Sequence, residues 1–257
     1  MELFEPAAML ALGLFLARTS ALVIACPLFG GQASFEGYRL ALITTLTAVF
    51  WSTSGVPLEP GVGAPEYVLL VLRELGVGLF LGFVTQMILV VLRVSGELVG
   101  HEMGLAMAGQ VDPITGTNTP VVSRFYEIFF FLGLLAVDGH HLILRSLAQS
   151  FDRAPVARLH FDLPVVEFAR SLFVQTFAAG LGFAAPVMIV LLLVSILTGL
   201  LSRAVPQLNV LEISFSLRVS LALVAMFVFA PLLAPAMQHL YASLATALDE
   251  AVGVLES

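Results

Sequence analysis

Ser171–Leu201, SLFVQTFAAGLGFAAPVMIVLLLVSILTGLL, is apolar almost throughout. About 20 such residues in a helix cross the ~30 Å hydrocarbon core of a bilayer. This stretch would be about 46 Å long as one helix. A second stretch, Leu208–Leu248, would reach about 60 Å. Both exceed one perpendicular crossing. Pro186 lies within the first, and Pro231 and Pro235 within the second. Kinks or breaks are expected there, because proline removes a backbone donor and clashes with the preceding turn. Such helices suit leaning against other subunits.

The rest of the chain reads the same way. Hydrophobic residues make up 59% and charged residues 11%, and mean hydropathy is +1.02. These values predict an all-α polytopic integral membrane protein forming a single membrane domain over 1–257. Apolar segments at Pro6–Pro27, Tyr38–Val56, Tyr67–Val94 and Val121–Leu144 bring the count to about six. The N-terminal MELFEP carries two glutamates and no basic region, so the first segment is expected to be a retained helix. The positive charge consists of 11 arginines and no lysine, and the net charge is −7. They are dispersed, which speaks against nucleic acid and against a polybasic lipid anchor. Arg145, Arg153 and Arg158 make the loop after the fourth segment the most positive, which favours the cytoplasm for it.

Gly96–Pro120, GELVGHEMGLAMAGQVDPITGTNTP, interrupts the apolar pattern. Irregular backbone is tolerated at membrane depth only where protein buries it or water lines it. A function involving passage is therefore expected there. Gly96, Gly100, Gly104 and Ala108 recur every fourth position, and Gly78 and Gly82 form a second pair. Such faces let helix backbones approach closely, either within one chain or between subunits.

Charges within the apolar segments need partners. An arginine near the centre of a membrane helix, as Arg18 is, costs about 2.5–3.5 kcal/mol on insertion scales. It is expected to be satisfied by the assembled complex. Arg73 and Glu74 are adjacent, point in different directions and should have different partners. Arg124 and Glu127, three apart, can pair with each other, or one can reach a neighbouring chain. Glu212 and Arg218 open the last long helix without an evident pair.

Catalysis is not indicated. His101-Glu102 resembles the start of a zinc-protease motif, but position 105 is Leu where a second histidine is required. Asp138, His140 and His141 lie about 27 Å along the helix counted from Val121, where a helix-end turn with polar caps is expected in preference to a metal site. There is no nucleophile elbow and no phosphate-binding glycine loop. The single Cys26 excludes an internal disulfide. Neither a metal nor a cofactor is expected.

An ordered set of short motifs runs along nearly the whole chain. They are Arg18 with Pro27; Glu74-x-Gly76-x-Gly78-x-x-x-Gly82; Gly96 through Gly104; Asp112-Pro113; Gly139-His140; Ser150-Phe151 with Pro155; and Gly180 to Pro186. The last and most diagnostic is Arg203-x-x-Pro206-Gln207-x-Asn209-Val210. In this order the chain resembles the FliR/SctT family of type III export-gate proteins, the flagellar branch more than the virulence branch. The resemblance implies a non-enzymatic subunit, FliP-like over 1–160 and a FliQ-like helical hairpin over 161–257. It also implies FliP and FliQ homologues as partners, contact with FlhB and FlhA homologues, unfolded flagellar proteins as substrates, and a place in the bacterial inner membrane at the flagellar basal body.

The family carries a plug in the loop that corresponds here to 105–119. Gly109, Gly116 and Pro113 break helix, Asp112 favours a turn, and Gln110 and Val111 lie between them. Met103 and Met107 at i, i+4 offer deformable apolar contacts or ordinary helix packing. A hydrophobic constriction of this kind can hold back water by dewetting. The alternatives are a virulence export-gate subunit and, more distantly, a secondary transporter or channel for small solutes. Carriers commonly show two matching halves, and 1–128 does not repeat in 129–257.

Overall fold

The computed structural model describes residues 6–29, 36–55, 63–105, 121–156, 163–205 and 210–256. Among these residues every regular element is a helix. They are α1 (Pro6–Ala25), α2 (Glu36–Ser54), α3 (Ala64–Glu102), α4 (Val121–Ala136), α5 (Gly139–Arg153), α6 (Leu163–Ala204) and α7 (Val210–Glu256). Pro6, Pro65 and Pro164 each fall in a first helical turn, where the missing N–H would have had no intrahelical acceptor.

Four helices are long and apolar enough to cross a membrane: Ala7–Ala25, Ala64–Glu102, Val165–Ala204 and Ile213–Leu255. The α4–α5 pair qualifies as a fifth, broken span, bent by 73°. The expected segment Val121–Leu144 is therefore not one helix. Asp138 adopts a left-handed conformation, with φ of 55°, and Gly139 follows it. A backbone in that region cannot continue a right-handed helix. The polar caps expected at this turn are also absent, since Asp138 makes no side-chain cap hydrogen bond. The expected segment at Tyr38–Val56 is helical as α2, but α2 does not qualify as a span.

A further correction concerns Gly96–Glu102, expected to open the irregular interruption. It is the last part of α3, and regular helix ends only before Met103. Gly104, with φ of 80°, then turns the chain out of helical geometry. Glycine in a helix costs up to about 1 kcal/mol, but close packing at Gly96 offsets this. A Cβ there would collide with the backbone of Ser123. The plug region expected at 105–119 lies, after Leu105, outside the described residues.

Both long C-terminal helices exceed their expected lengths, at 42 residues for α6 and 47 for α7. Helix runs unbroken through Pro186, Pro231 and Pro235. In an apolar medium, opening the helix would strand more backbone groups than the single donor proline lacks.

The chain forms two compact units. One comprises Met1–Met87, Leu135–Leu172 and Ala242–Ser257, the other Ile88–Leu134 and Phe173–Tyr241. In the first, Leu14, Leu22, Leu81, Ile143 and Leu147 are fully buried, and Phe15 stacks on Phe151 at 4.5 Å. Gly78 and Gly82 of α3 pack closely on Ala21 and Ala25 of α1, so this glycine face joins helices of the same chain. In the second unit Leu89, Leu92, Tyr126, Leu134 and Leu191 form the interior. There the hydroxyl of Ser95 donates to the Gly180 carbonyl at 2.8 Å. The hydroxyl of Tyr241 donates to the Phe130 carbonyl at 3.2 Å.

Candidate functional site

Each unit is organised around a buried acidic side chain. In the first unit α1 carries Arg18 into full burial, where α3 presents Glu74, also fully buried. The guanidinium donates through Nε to Glu74 Oε2 at 2.7 Å, and its Nη2 lies 2.6 Å from the same oxygen. On its other side Nη1 donates to the Ser150 carbonyl at 2.7 Å. Nη2 donates to the Ala154 carbonyl at 3.1 Å. The Phe151 ring lies 4.5 Å from the guanidinium carbon.

Ser150 is in the last turn of α5 and Ala154 is its C-cap, so Arg18 caps this helix from another helix. The Ser150 carbonyl already accepts from the Ala154 N–H at 3.1 Å, so the cation adds a second donor there, supplies one to the Ala154 carbonyl, and meets the negative end of the helix dipole. The planar five-donor guanidinium suits such a bridge. Arg18 is thus satisfied within the chain, where the sequence pointed to the assembled complex. The family motifs at Arg18, Glu74 and Ser150-Phe151 meet at one place.

In the second unit Glu127 of α4 is buried and takes two arginines. Nε of Arg93 donates to Oε1 at 2.5 Å, and Nη1 of Arg124 lies 3.5 Å from Oε2. The expected Arg124–Glu127 pair is present, but the shorter contact comes from Arg93 on α3, which the sequence reading did not single out. Its signal was available, since Arg93 interrupts an apolar run just as Arg18 does. The Ser123 hydroxyl donates to the Arg93 carbonyl at 3.2 Å, beside the close approach at Gly96.

Arg73 is half-buried, and Arg203 lies exposed at the end of α6. Arg218 is half-buried, and its buried Nε has no hydrogen-bond partner among the described residues. Gly100 is a buried position of α3. Met103 is 2% exposed, in the turn that closes that helix. Met107, Gly109, Gln110, Val111, Asp112, Pro113 and Gly116 lie outside the described residues, as do Pro206, Gln207, Asn209 and the side chain of Glu212.

The charges serve helix packing, and long apolar helices are left uncovered. Along the most apolar stretch of α7 11% of residues are buried within the chain, against 67% for α3. Phe227, 81% exposed, is an example. This is an all-α, multi-pass membrane protein held together by intramembrane ion pairs and glycine-mediated helix contacts.

Residues 9–244 match the family described as bacterial export proteins, family 1, and the chain belongs to that family. It is 30% identical to the flagellar biosynthetic protein FliR of Bacillus subtilis (strain 168) over 215 residues, 82% of each chain. It is 29% identical to FliR of Pectobacterium carotovorum over 247 residues, 93% of this chain and 92% of the relative. The surface presentation of antigens protein SpaR of Shigella flexneri is 30% identical over 179 residues, 68% of each chain.

Proposed function

We propose that this chain is a non-enzymatic subunit of a type III protein export gate in the bacterial inner membrane. It assembles there with FliP and FliQ homologues, contacts FlhB and FlhA homologues, and helps pass unfolded flagellar proteins. The observation that carries this reading is the family match over residues 9–244, together with relatives named flagellar biosynthetic protein FliR that cover most of the chain. The bare apolar stretch of α7 around Phe227 supports it as a surface that other subunits can cover, whereas the C-terminal part of α7, with Leu244, Leu248, Val252 and Leu255, is buried within the chain. The long helices α6 and α7 fall within 161–257, the part expected to act as a FliQ-like hairpin, while 1–160 supplies the FliP-like part.

The flagellar branch is favoured by the relatives of greatest coverage, two named FliR that match 93% of this chain; other proteins named FliR match 65% and 68%, as SpaR matches 68%. The loop 105–119 serves as the plug in this reading. It follows directly on the buried Met103 and the left-handed Gly104, which supports a sharp change of chain direction where the plug begins.

Co-expression with FliP and FliQ homologues, followed by purification and native mass measurement, tests the proposal. A single hetero-oligomer containing all three is the expected result. A monomer or homodimer in the presence of both homologues would overturn it.

A further inference from the structure

The turn between α4 and α5 gathers three side chains to which the export reading assigns no role. Asp138 holds the left-handed conformation, uncommon for a residue with a Cβ. Its N–H donates to the Leu135 carbonyl at 3.2 Å, and its own carbonyl accepts from the His141 N–H at 3.0 Å. An aspartate before a helix ordinarily turns its carboxylate onto the first free N–H groups. This one does not. Its Oδ1 stands 3.8 Å from Nδ1 of His141, beyond hydrogen-bond length. The ring of His140 lies 4.1 Å from that of His141, centroid to centroid. Nδ1 of His140 is buried and has no hydrogen-bond partner among the described residues. One donor atom from each of Asp138, His140 and His141 lies within 4.8 Å of the other two.

We propose that this Asp-x-His-His turn binds one borderline divalent metal ion of the zinc, nickel or copper class, with its remaining coordination positions open to water. Two imidazoles with one carboxylate favour these ions over calcium or magnesium, which take oxygen ligands. Bonds of about 2.0–2.2 Å in tetrahedral geometry set neighbouring ligand atoms roughly 3.3 Å apart. The 3.8 Å separation of the Asp138 and His141 donors closes to that spacing with about half an ångström of movement, and the widest separation in the trio, up to 4.8 Å, with about 1.5 Å, within reach of side-chain rotation. These two side chains are 78% and 65% exposed, which leaves the ion a route in and room for water ligands. The ion would fasten the left-handed turn in place of the missing cap and give the buried His140 nitrogen a partner. This inference stands independently of the export reading.

The test uses the full-length chain in detergent, without a histidine tag, titrated with Zn²⁺ and separately with Co²⁺. Saturable binding of one equivalent and a visible Co²⁺ d–d band are expected. Asp138→Asn and His141→Ala alter exposed side chains and should each weaken Zn²⁺ binding by about tenfold or more. His239→Ala, at an exposed position of α7, should leave it unchanged. Absence of saturable binding by the unaltered chain, unchanged affinity in both turn variants, or an equal loss with His239→Ala would overturn the proposal.

Discussion

Replacing Glu74 by Gln keeps its shape and removes the anion facing Arg18. The guanidinium then stays fully buried with the Ser150 and Ala154 carbonyls, at 2.7 and 3.1 Å, as its remaining main-chain acceptors. Breaking a buried pair by deleting one partner costs about 3–5 kcal/mol. The retained carbonyl bonds place Glu74→Gln near the lower end, about 3 kcal/mol. Arg18→Met lies near 5 kcal/mol, because it strands Glu74 and also removes the donor of the Ala154 carbonyl, at about 1–3 kcal/mol, while the Ser150 carbonyl keeps the Ala154 N–H. The double variant Arg18→Met/Glu74→Gln leaves no buried charge in the pair and retains only the loss at the Ala154 carbonyl and an unpaired amide, together about 4 kcal/mol. Two singles summing to about 8 kcal/mol against a double of about 4 kcal/mol give a coupling of several kcal/mol. Arg18→Lys should fall between, since a single ammonium cannot reach both Glu74 and the end of α5. Unfolding free energies from reversible SDS titration in mixed micelles measure all four. Additivity of the singles within about 0.5 kcal/mol would refute the claim that the two side chains act as one unit.

Gly96→Val should destabilise the chain by about 1–3 kcal/mol, because the added carbon meets the Ser123 backbone, which cannot swing aside. Gly182→Ala, whose Cβ meets nothing within 4 Å, should instead be neutral or stabilise the helix by about 0.5–1 kcal/mol; the same titration compares the two. Arg124→Ala should cost about 0–1 kcal/mol, because this side chain is 67% exposed and 3.5 Å from Glu127. Arg93→Ala, which removes the 2.5 Å contact, should cost clearly more, and equal losses would count against Arg93 as the principal partner. In the proposed plug, bulky or charged replacements at Gly109 or Gly116 should disturb closure or passage while insertion stays intact. Ion-leakage and motility assays read this, and normal values for both variants would argue against a plug there.

Much of the architecture was legible in residue order, and the misreadings share one cause. The apolar runs located α1, α3, α6 and α7, since hydropathy adds residue by residue. Gly96–Glu102 was misread because glycine's helix penalty is local, whereas the compensating approach of Ser123 comes from a residue 27 positions later. A helix-end turn was expected at Asp138–His141, but the left-handed residue and the 73° bend that form it could not be read from the apolar run around them. Arg124–Glu127 was visible as an i, i+3 pair, while Arg93–Glu127 joins residues 34 apart in sequence.

Residue chemistry by itself determined that this chain lives in a membrane, is helical, and cannot leave Arg18 unpartnered, because the transfer cost of each side chain does not depend on the fold. Which partner Arg18 takes was decided only in three dimensions. Glu74 lies 56 residues away and the Ser150 carbonyl 132. Their meeting depends on glycine-sized gaps that set how closely α1 and α3 approach, and on where the chain ends α5.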